Sequence, residues 1–400
     1  MNKLLNAILS FVALGLILQI AYAGSTGRTL GSWTYTTPYP TNISSQSCGI
    51  SSSYIYCVGG FNGTTDTNMT YYAQINSSGV GNWTATTPYP FYMGNGACTI
   101  YQSHIYCTGG VSVESAVNYS FYAPISASGI GAWKSTSSYP IPISGQSCNS
   151  YNGNIYCVGG FSGFNYTNKV YYAQLGTSGI GSWSSTNAYP VKLSSESCVV
   201  SNGYLYCLGG QSGGLSYYGN SYYARLSSSG VSGWHPTILY PNTTSSQSCV
   251  AANSNIYCTG GYSTSTKTNY TATTFFAPLR SSGIGIWSAT TSYPYRSSDA
   301  SCSANSNYVY CVGGAYSYLN TNVVIFAPIM NPSAPTSTTT PGTTITQVSN
   351  GNQSQPGQAT NTQQSAGSGV IYLIVLFLAV LIILMVIAFY LFNRKPAPKK

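Results

Sequence analysis

Six times along the chain one block returns: a Cys, eight residues, a second Cys, a Gly-Gly pair, an aromatic-Ala step, and a Trp followed by Tyr-Pro. The cysteines pair off in sequence: Cys48 with Cys57, Cys98 with Cys107, Cys148 with Cys157, Cys198 with Cys207, Cys249 with Cys258, and Cys302 with Cys311. The tryptophans are Trp33, Trp83, Trp133, Trp183, Trp234 and Trp287, and the period is 50 residues, stretching to 51 and 53 at the end. A period of this length marks a propeller or solenoid, in which no single copy can bury its own apolar face.

Composition narrows the chemistry. The chain of 400 residues has four acidic groups, Asp66, Glu114, Glu196 and Asp299, and two histidines, His104 and His235. Acid/base pairs, metal sites and catalytic triads draw on carboxylates and imidazoles, so no catalytic residue, metal ligand or cofactor is assigned, and the protein is expected not to be an enzyme. With so few carboxylates, stability should change little as pH falls. All twelve cysteines belong to the repeat, the usage of an oxidising compartment. The net charge of +9 is unevenly placed: Arg394, Lys395, Lys399 and Lys400 crowd the end, and residues 24–368 keep eight basic against four acidic groups, scattered singly. No basic patch exists, which argues against nucleic acid as a partner.

Both ends read as targeting segments. Residues 1–23 carry Lys3, an apolar stretch and Ala21-Tyr22-Ala23, the pattern of a signal peptide. Residues 370–392 form an uncharged apolar run, about 35 Å long as a helix and enough to cross a bilayer. Arg394 and Lys395 follow at once, placing the tail 393–400 in the cytoplasm and everything before the span outside. Residues 331–369 have no charge and are rich in Ser, Thr, Pro and Gln, the composition of a disordered stalk. The expected protein is thus a single-pass cell-membrane protein whose ectodomain spans residues 24–330.

Each repeat reads as four strands. In the third, 147–150 and 155–158 flank an Asn152-Gly153 turn of type I′, a strand follows around 169–175, and a fourth runs through Trp183 toward Tyr189-Pro190. Cys148 and Cys157 stand four residues before and after that turn, so they face each other at a non-hydrogen-bonded pair with Cα atoms about 4.5 Å apart, within disulfide reach. Cys198 and Cys207 stand in the same way about Asn202-Gly203. Six disulfides local to their blades are predicted. Zinc is a weaker reading, because a hairpin offers two sulfurs and no nearby His.

These residues resemble the Kelch motif: a hydrophobic strand, Gly-Gly, then a spaced Tyr and Trp, seen in Ile55-Tyr56-Cys57-Val58-Gly59-Gly60, Tyr72 and Trp83 and repeated in all six copies. The resemblance covers residues 24–330. It implies an all-β, six-bladed Kelch-like β-propeller, with one transmembrane helix after it. The segment Leu30-Gly31-Ser32-Trp33 matches the fourth-strand segment Ile180-Gly181-Ser182-Trp183, and the last repeat stops after its third strand. A three-plus-one closure is therefore expected, with the N-terminal strand completing the sixth blade. Kelch-like propellers include the copper enzyme galactose oxidase, and the Ser-x-Gly-x-Gly-x-Trp turn at 77–83 looks like a sialidase Asp-box without its Asp. Both enzyme readings are disfavoured here: His104 and His235 sit on different strand types, and a tight glycine turn accounts for the second motif.

The loops after strand three are nearly invariant between copies, whereas those after Gly-Gly, at 61–68, 111–118, 161–168, 211–220, 262–273 and 315–322, all differ. Variable loops on a repeated scaffold are where recognition lives. They carry the candidate contact residues Tyr119, Tyr166, Tyr217, Tyr218, Tyr262, Tyr270, Tyr316 and Tyr318, rigid amphipathic side chains suited to an extracellular protein or glycan. Ten Asn-x-Ser/Thr acceptors occur, at Asn42, Asn62, Asn68, Asn76, Asn82, Asn118, Asn165, Asn242, Asn269 and Asn352, and glycans there would solubilise a surface that has few charges. The leading expectation is a cell-surface recognition or adhesion protein, with a passive glycosylated envelope component as the rival.

Overall fold

The computed structural model describes residues 28–213, 216–263, 269–317 and 319–331. The signal peptide, most of the stalk, the apolar run 370–392, the basic tail, Tyr318 and Asn352 lie outside the described residues. Among those described there is no helix, and so none long and apolar enough to cross a membrane.

The six copies are six antiparallel sheets. In the third, Ser147–Tyr151 pairs with Asn154–Val158, which pairs with Val170–Gly176. The hairpin turn is the expected one, since Asn152 and Gly153 both have positive φ, 46° and 79°, the condition for type I′. Its register sets Cys148 opposite Cys157, and the disulfide joins them.

The other blades repeat that pairing. Cys48 is bonded to Cys57, Cys98 to Cys107, Cys198 to Cys207, Cys249 to Cys258, and Cys302 to Cys311, so that no bridge links two blades. The Cα atoms of each pair stand 4.0 to 4.1 Å apart, slightly closer than the spacing expected for a non-hydrogen-bonded pair. The two sulfurs of a bond also sit in unequal surroundings. The strand-two members Cys57, Cys107, Cys157, Cys207, Cys258 and Cys311 are fully buried, whereas Cys48, Cys98, Cys148 and Cys302 on strand one are not.

The fourth strand differs from expectation as well. Instead of one run toward Tyr189 it is two short pieces, Gly179–Ile180 and Ser184–Ser185, each paired with the third strand. Between them Trp183 turns against the preceding blade, where its ring meets Tyr139 edge-on at 4.9 Å and its indole Nε1 donates to Ser137 O. Packing against a neighbour has overridden local pairing.

Blades hold one another through the repeated residues. Strand-two side chains such as Ile55 and Cys57 pack with Tyr310, Val312, Val324 and Phe326 of the sixth blade, so each apolar core is shared by two blades. Thr136 Oγ1 donates to Ile180 O and accepts from Ile180 N–H, tying the fourth strand of one blade to the turn of the next. A Cβ on Gly179 would collide with that hydroxyl, and its φ of 110° favours glycine. Gly79, Gly129, Gly230 and Gly283 repeat the arrangement against Thr36, Thr86, Thr186 and Thr237, which explains why this turn barely varies. The Tyr56 hydroxyl likewise donates to Ser126 O of the following blade, as do its counterparts Tyr106, Tyr156, Tyr206, Tyr257 and Tyr310 to theirs.

The ring closes three-plus-one. Thr34–Tyr35 adds to the Val324–Pro328 strand of the last blade, and Leu30 bridges Ile329. Leu30 N–H donates to Thr290 Oγ1, so the N-terminal strand takes up the same threonine seat as the turns of other blades. Ile329 N–H donates to Asn307 O in the strand-one-to-two turn. Both described ends of the ring therefore lie on the face opposite the variable loops, which we call the constant face.

Candidate functional site

The first strands surround the axis, and on the variable-loop face one residue from each blade closes a circle. Asn95 N–H donates to Ser45 O, Gly145 to Asn95, Ser195 to Gly145, Ser246 to Ser195, Asp299 to Ser246, and Ser45 back to Asp299, at 2.8 to 3.1 Å. All six have positive φ, between 52° and 62°, a region that Gly, Asn and Asp tolerate best and that Ser adopts here under the constraint of the ring. They rim an axial cavity of about 160 Å³.

The next residue in each blade lines the same cavity. Gln46, Gln146 and Gln247 are buried, and each Nε2 donates to the carbonyl just before the preceding blade's Gly-Gly: Val312, Thr108 and Leu208. Glu196 takes the fourth such position, lying over Gly159 as Gln146 lies over Gly109. It is 6% exposed, and neither carboxyl oxygen makes a hydrogen bond of good geometry. Desolvation raises its pKa well above the usual carboxylate value, offset in part by the N–H groups of Glu196 and Ser147. The carbonyl at the equivalent place in the preceding blade is that of Val158, to which an ionised carboxylate has no proton to donate.

Two further carboxyls border this face. Asp299, half-buried, has its pKa raised by desolvation, opposed by hydrogen bonds from the Ser298 and Ser246 hydroxyls. Asp66 lies against Gly94 at the next blade's inner end, and desolvation raises it too. Two of the four acids in the chain, Glu196 and Asp299, thus line one mouth, and Asp66 stands behind its rim against Gly94. No group of three or more His, Cys, Asp or Glu that could hold a metal occurs among the described residues. His104 lies tilted against Tyr106 and Tyr122 in the second blade, and His235 against Tyr223 in the fourth.

Outside the mouth the variable loops fold as small hairpins, bridged to the axial segment at Ser44–Phe61, Gly94–Val111, Ser144–Phe161, Ser194–Gln211, Ser245–Tyr262 and Ser298–Ala315. The structure joins four predicted tyrosines in a chain over blades four to six: Tyr217 to Tyr262 at 5.5 Å, Tyr262 to Tyr270 at 5.1 Å, Tyr270 to Tyr316 at 5.4 Å. Tyr270 is buried and Tyr316 exposed, so this chain both packs the loops and presents an edge. Tyr166 packs on Phe161 within its own hairpin, and the Tyr218 hydroxyl pairs with Ser212. Tyr119 stands apart and meets Phe91 at 4.6 Å. These two rings, each 40% exposed, form an aromatic platform, and the adjacent Tyr92 is 51% exposed. Phe91 and Tyr92 lie in the loop leading into the second blade, outside the loops after Gly-Gly. Their signal is in the sequence: Pro90 is followed by two aromatic residues, Phe-Tyr, where the other copies have Thr-Asn, Ile-Pro, Val-Lys, Asn-Thr and Tyr-Arg.

A ring of six four-stranded blades with a polar axial mouth and a variable loop face defines a six-bladed β-propeller. Known proteins agree at that level. No protein-family profile matches the chain, and no curated protein matches it by sequence. Among solved structures it is similar to one described as the structure of YjhT, with a TM-score of 0.61 and 12% identity over 73% of this chain and 96% of that one. At that identity the likeness speaks for the fold alone.

Proposed function

We propose that this is a non-enzymatic cell-surface recognition or adhesion protein, a disulfide-stapled propeller that binds an extracellular glycan or protein through its variable loops. One observation carries this reading: the chain leaves the ring on the constant face, so a stalk and membrane span following residue 331 would hold the variable loops outward. The repeated residues are consumed in blade-to-blade contacts, while the Phe91–Tyr119 pair and Tyr316, at the end of the tyrosine chain, remain at the surface where copies disagree. The ectodomain applied to glycan arrays and used in cell-surface pull-downs tests this. Binding that is lost when loops 61–68 or 315–322 are exchanged for those of another blade supports recognition. No partner above background, with silent exchanges, returns the protein to a passive envelope role.

A further inference from the structure

The fold sorts the glycan acceptors, and we infer that Asn76 and Asn82 carry N-linked glycans while Asn68, Asn118 and Asn242 stay bare. This rests on the export of the chain proposed above. In the transfer the amide Nδ2 bonds to the anomeric carbon of a phosphate-activated oligosaccharide, the carbon–oxygen bond to that phosphate breaks, and an amide proton is released with the phosphate. The acceptor must present both its amide and the hydroxyl two residues on.

Asn76 and Asn82 meet both conditions, for they are exposed and so are Ser78 and Thr84. Asn76 uses Oδ1, which accepts from Ser78 N–H at 2.7 Å, and not Nδ2. The other three fail twice. Asn68, Asn118 and Asn242 are half-buried, and their partners Thr70, Ser120 and Thr244 are at most 2% exposed. Thr70 Oγ1 donates within the blade to Thr87 O, and the Ser120 hydroxyl pairs with Thr108. Asn68 Nδ2 donates to Tyr89 O at 3.2 Å, and Asn168, the same position in a blade without an acceptor motif, donates to Tyr189 O at 3.0 Å. Tyr139 N–H reaches Asn118 O as Tyr89 N–H reaches Asn68 O, both at 2.9 Å. This asparagine serves the scaffold, and the motif around it arises from strand residues that serve the scaffold as well. Sugar transferred after folding cannot reach it. Sugar transferred before folding would have to be fitted beside a half-buried amide whose partner hydroxyl is buried.

The consequence is geographic. The occupied pair flanks the turn between strands three and four of the first blade, toward the constant face, and the bare Asn68 and Asn118 are the acceptors next to the Phe91–Tyr119 platform. The test is to secrete the full chain from a glycosylating host, release glycans enzymatically in isotope-labelled water, and map peptides. Labelled aspartate is expected at 76 and 82, with unmodified asparagine at 68, 118 and 242, and the double variant Asn76→Gln, Asn82→Gln should lose the corresponding two steps of mass. Label at any of the three half-buried positions, or none at 76 and 82, overturns the assignment. A wholly unlabelled chain implicates export itself, whereas misplaced label implicates only the siting, so the two failures are told apart.

Discussion

Replacing Glu196 by Gln should stabilise the propeller at neutral pH and leave it unchanged in acid. The three axial glutamines donate to carbonyls that a glutamate can reach only with a proton attached. The folded-state pKa of Glu196 is raised above its unfolded value, so its favourable contribution is complete below the unfolded pKa and is lost as pH climbs through the folded one. Each unit of that rise is worth about 1.4 kcal/mol at pH values above both. An unsatisfied buried group costs about 1–3 kcal/mol, and Glu196→Gln should recover a gain of that size at pH 8. For a ring of this size it corresponds to a rise in Tm of roughly 2–4 °C per kcal/mol. The assay is thermal unfolding of wild type and variant from pH 4 to 8. Curves that converge at pH 4 and part toward pH 8 support the reasoning. A variant less stable at pH 8, or a gap independent of pH, refutes it.

Other outcomes follow from blade contacts. Gly179→Ala should cost about 1–3 kcal/mol in denaturant unfolding, since the new Cβ meets Thr136 Oγ1 in backbone that favours glycine. An unchanged midpoint would remove the threonine seat as the reason this turn is invariant. The pair Cys148→Ser, Cys157→Ser should cost at most roughly 2.7 kcal/mol, the chain-entropy value for a ten-residue loop, because the hairpin is already local. A larger loss would show the bridge shaping the native blade as well. Deleting residues 28–36 strips the sixth blade of its outer strand, so limited proteolysis should cut first in 301–328. Cleavage that begins in another blade would refute closure by this strand.

Much of the fold is legible because it is written six times. The equidistance of Cys148 and Cys157 from Asn152-Gly153 sets register directly, and the orphan Leu30-Gly31-Ser32-Trp33 announces the closure. The fourth strand is shorter than its residues suggest, since its course depends on where Trp183 packs in a neighbouring blade, and a single repeat holds no record of its neighbour. The axial mouth is hidden for a different reason. Its six ring residues are Ser, Asn, Gly, Ser, Ser and Asp, each three positions before a first cysteine, and what they share is a backbone conformation that several side chains permit. Glu196 looks like one of four scarce acids, and only alignment with Gln46, Gln146 and Gln247 shows that it stands in for an amide. Of the candidate tyrosines, spacing places them in loops but cannot say that Tyr217, Tyr262, Tyr270 and Tyr316 meet across three blades.

The circle of backbone bonds at the axis has a direction but no beginning. Every N–H points to the preceding blade, the sixth hands on to the first, and Leu30 lies beside Ile329. Where the gene starts is thus arbitrary with respect to the folded ring: a linker joining the adjacent ends and a cut in any outer loop would describe the same object in a different reading order. Each blade then evolves its own loop under the same mechanical obligations as the other five, and six sequence-distinct contact surfaces can be altered one at a time on a frame that never has to be redesigned.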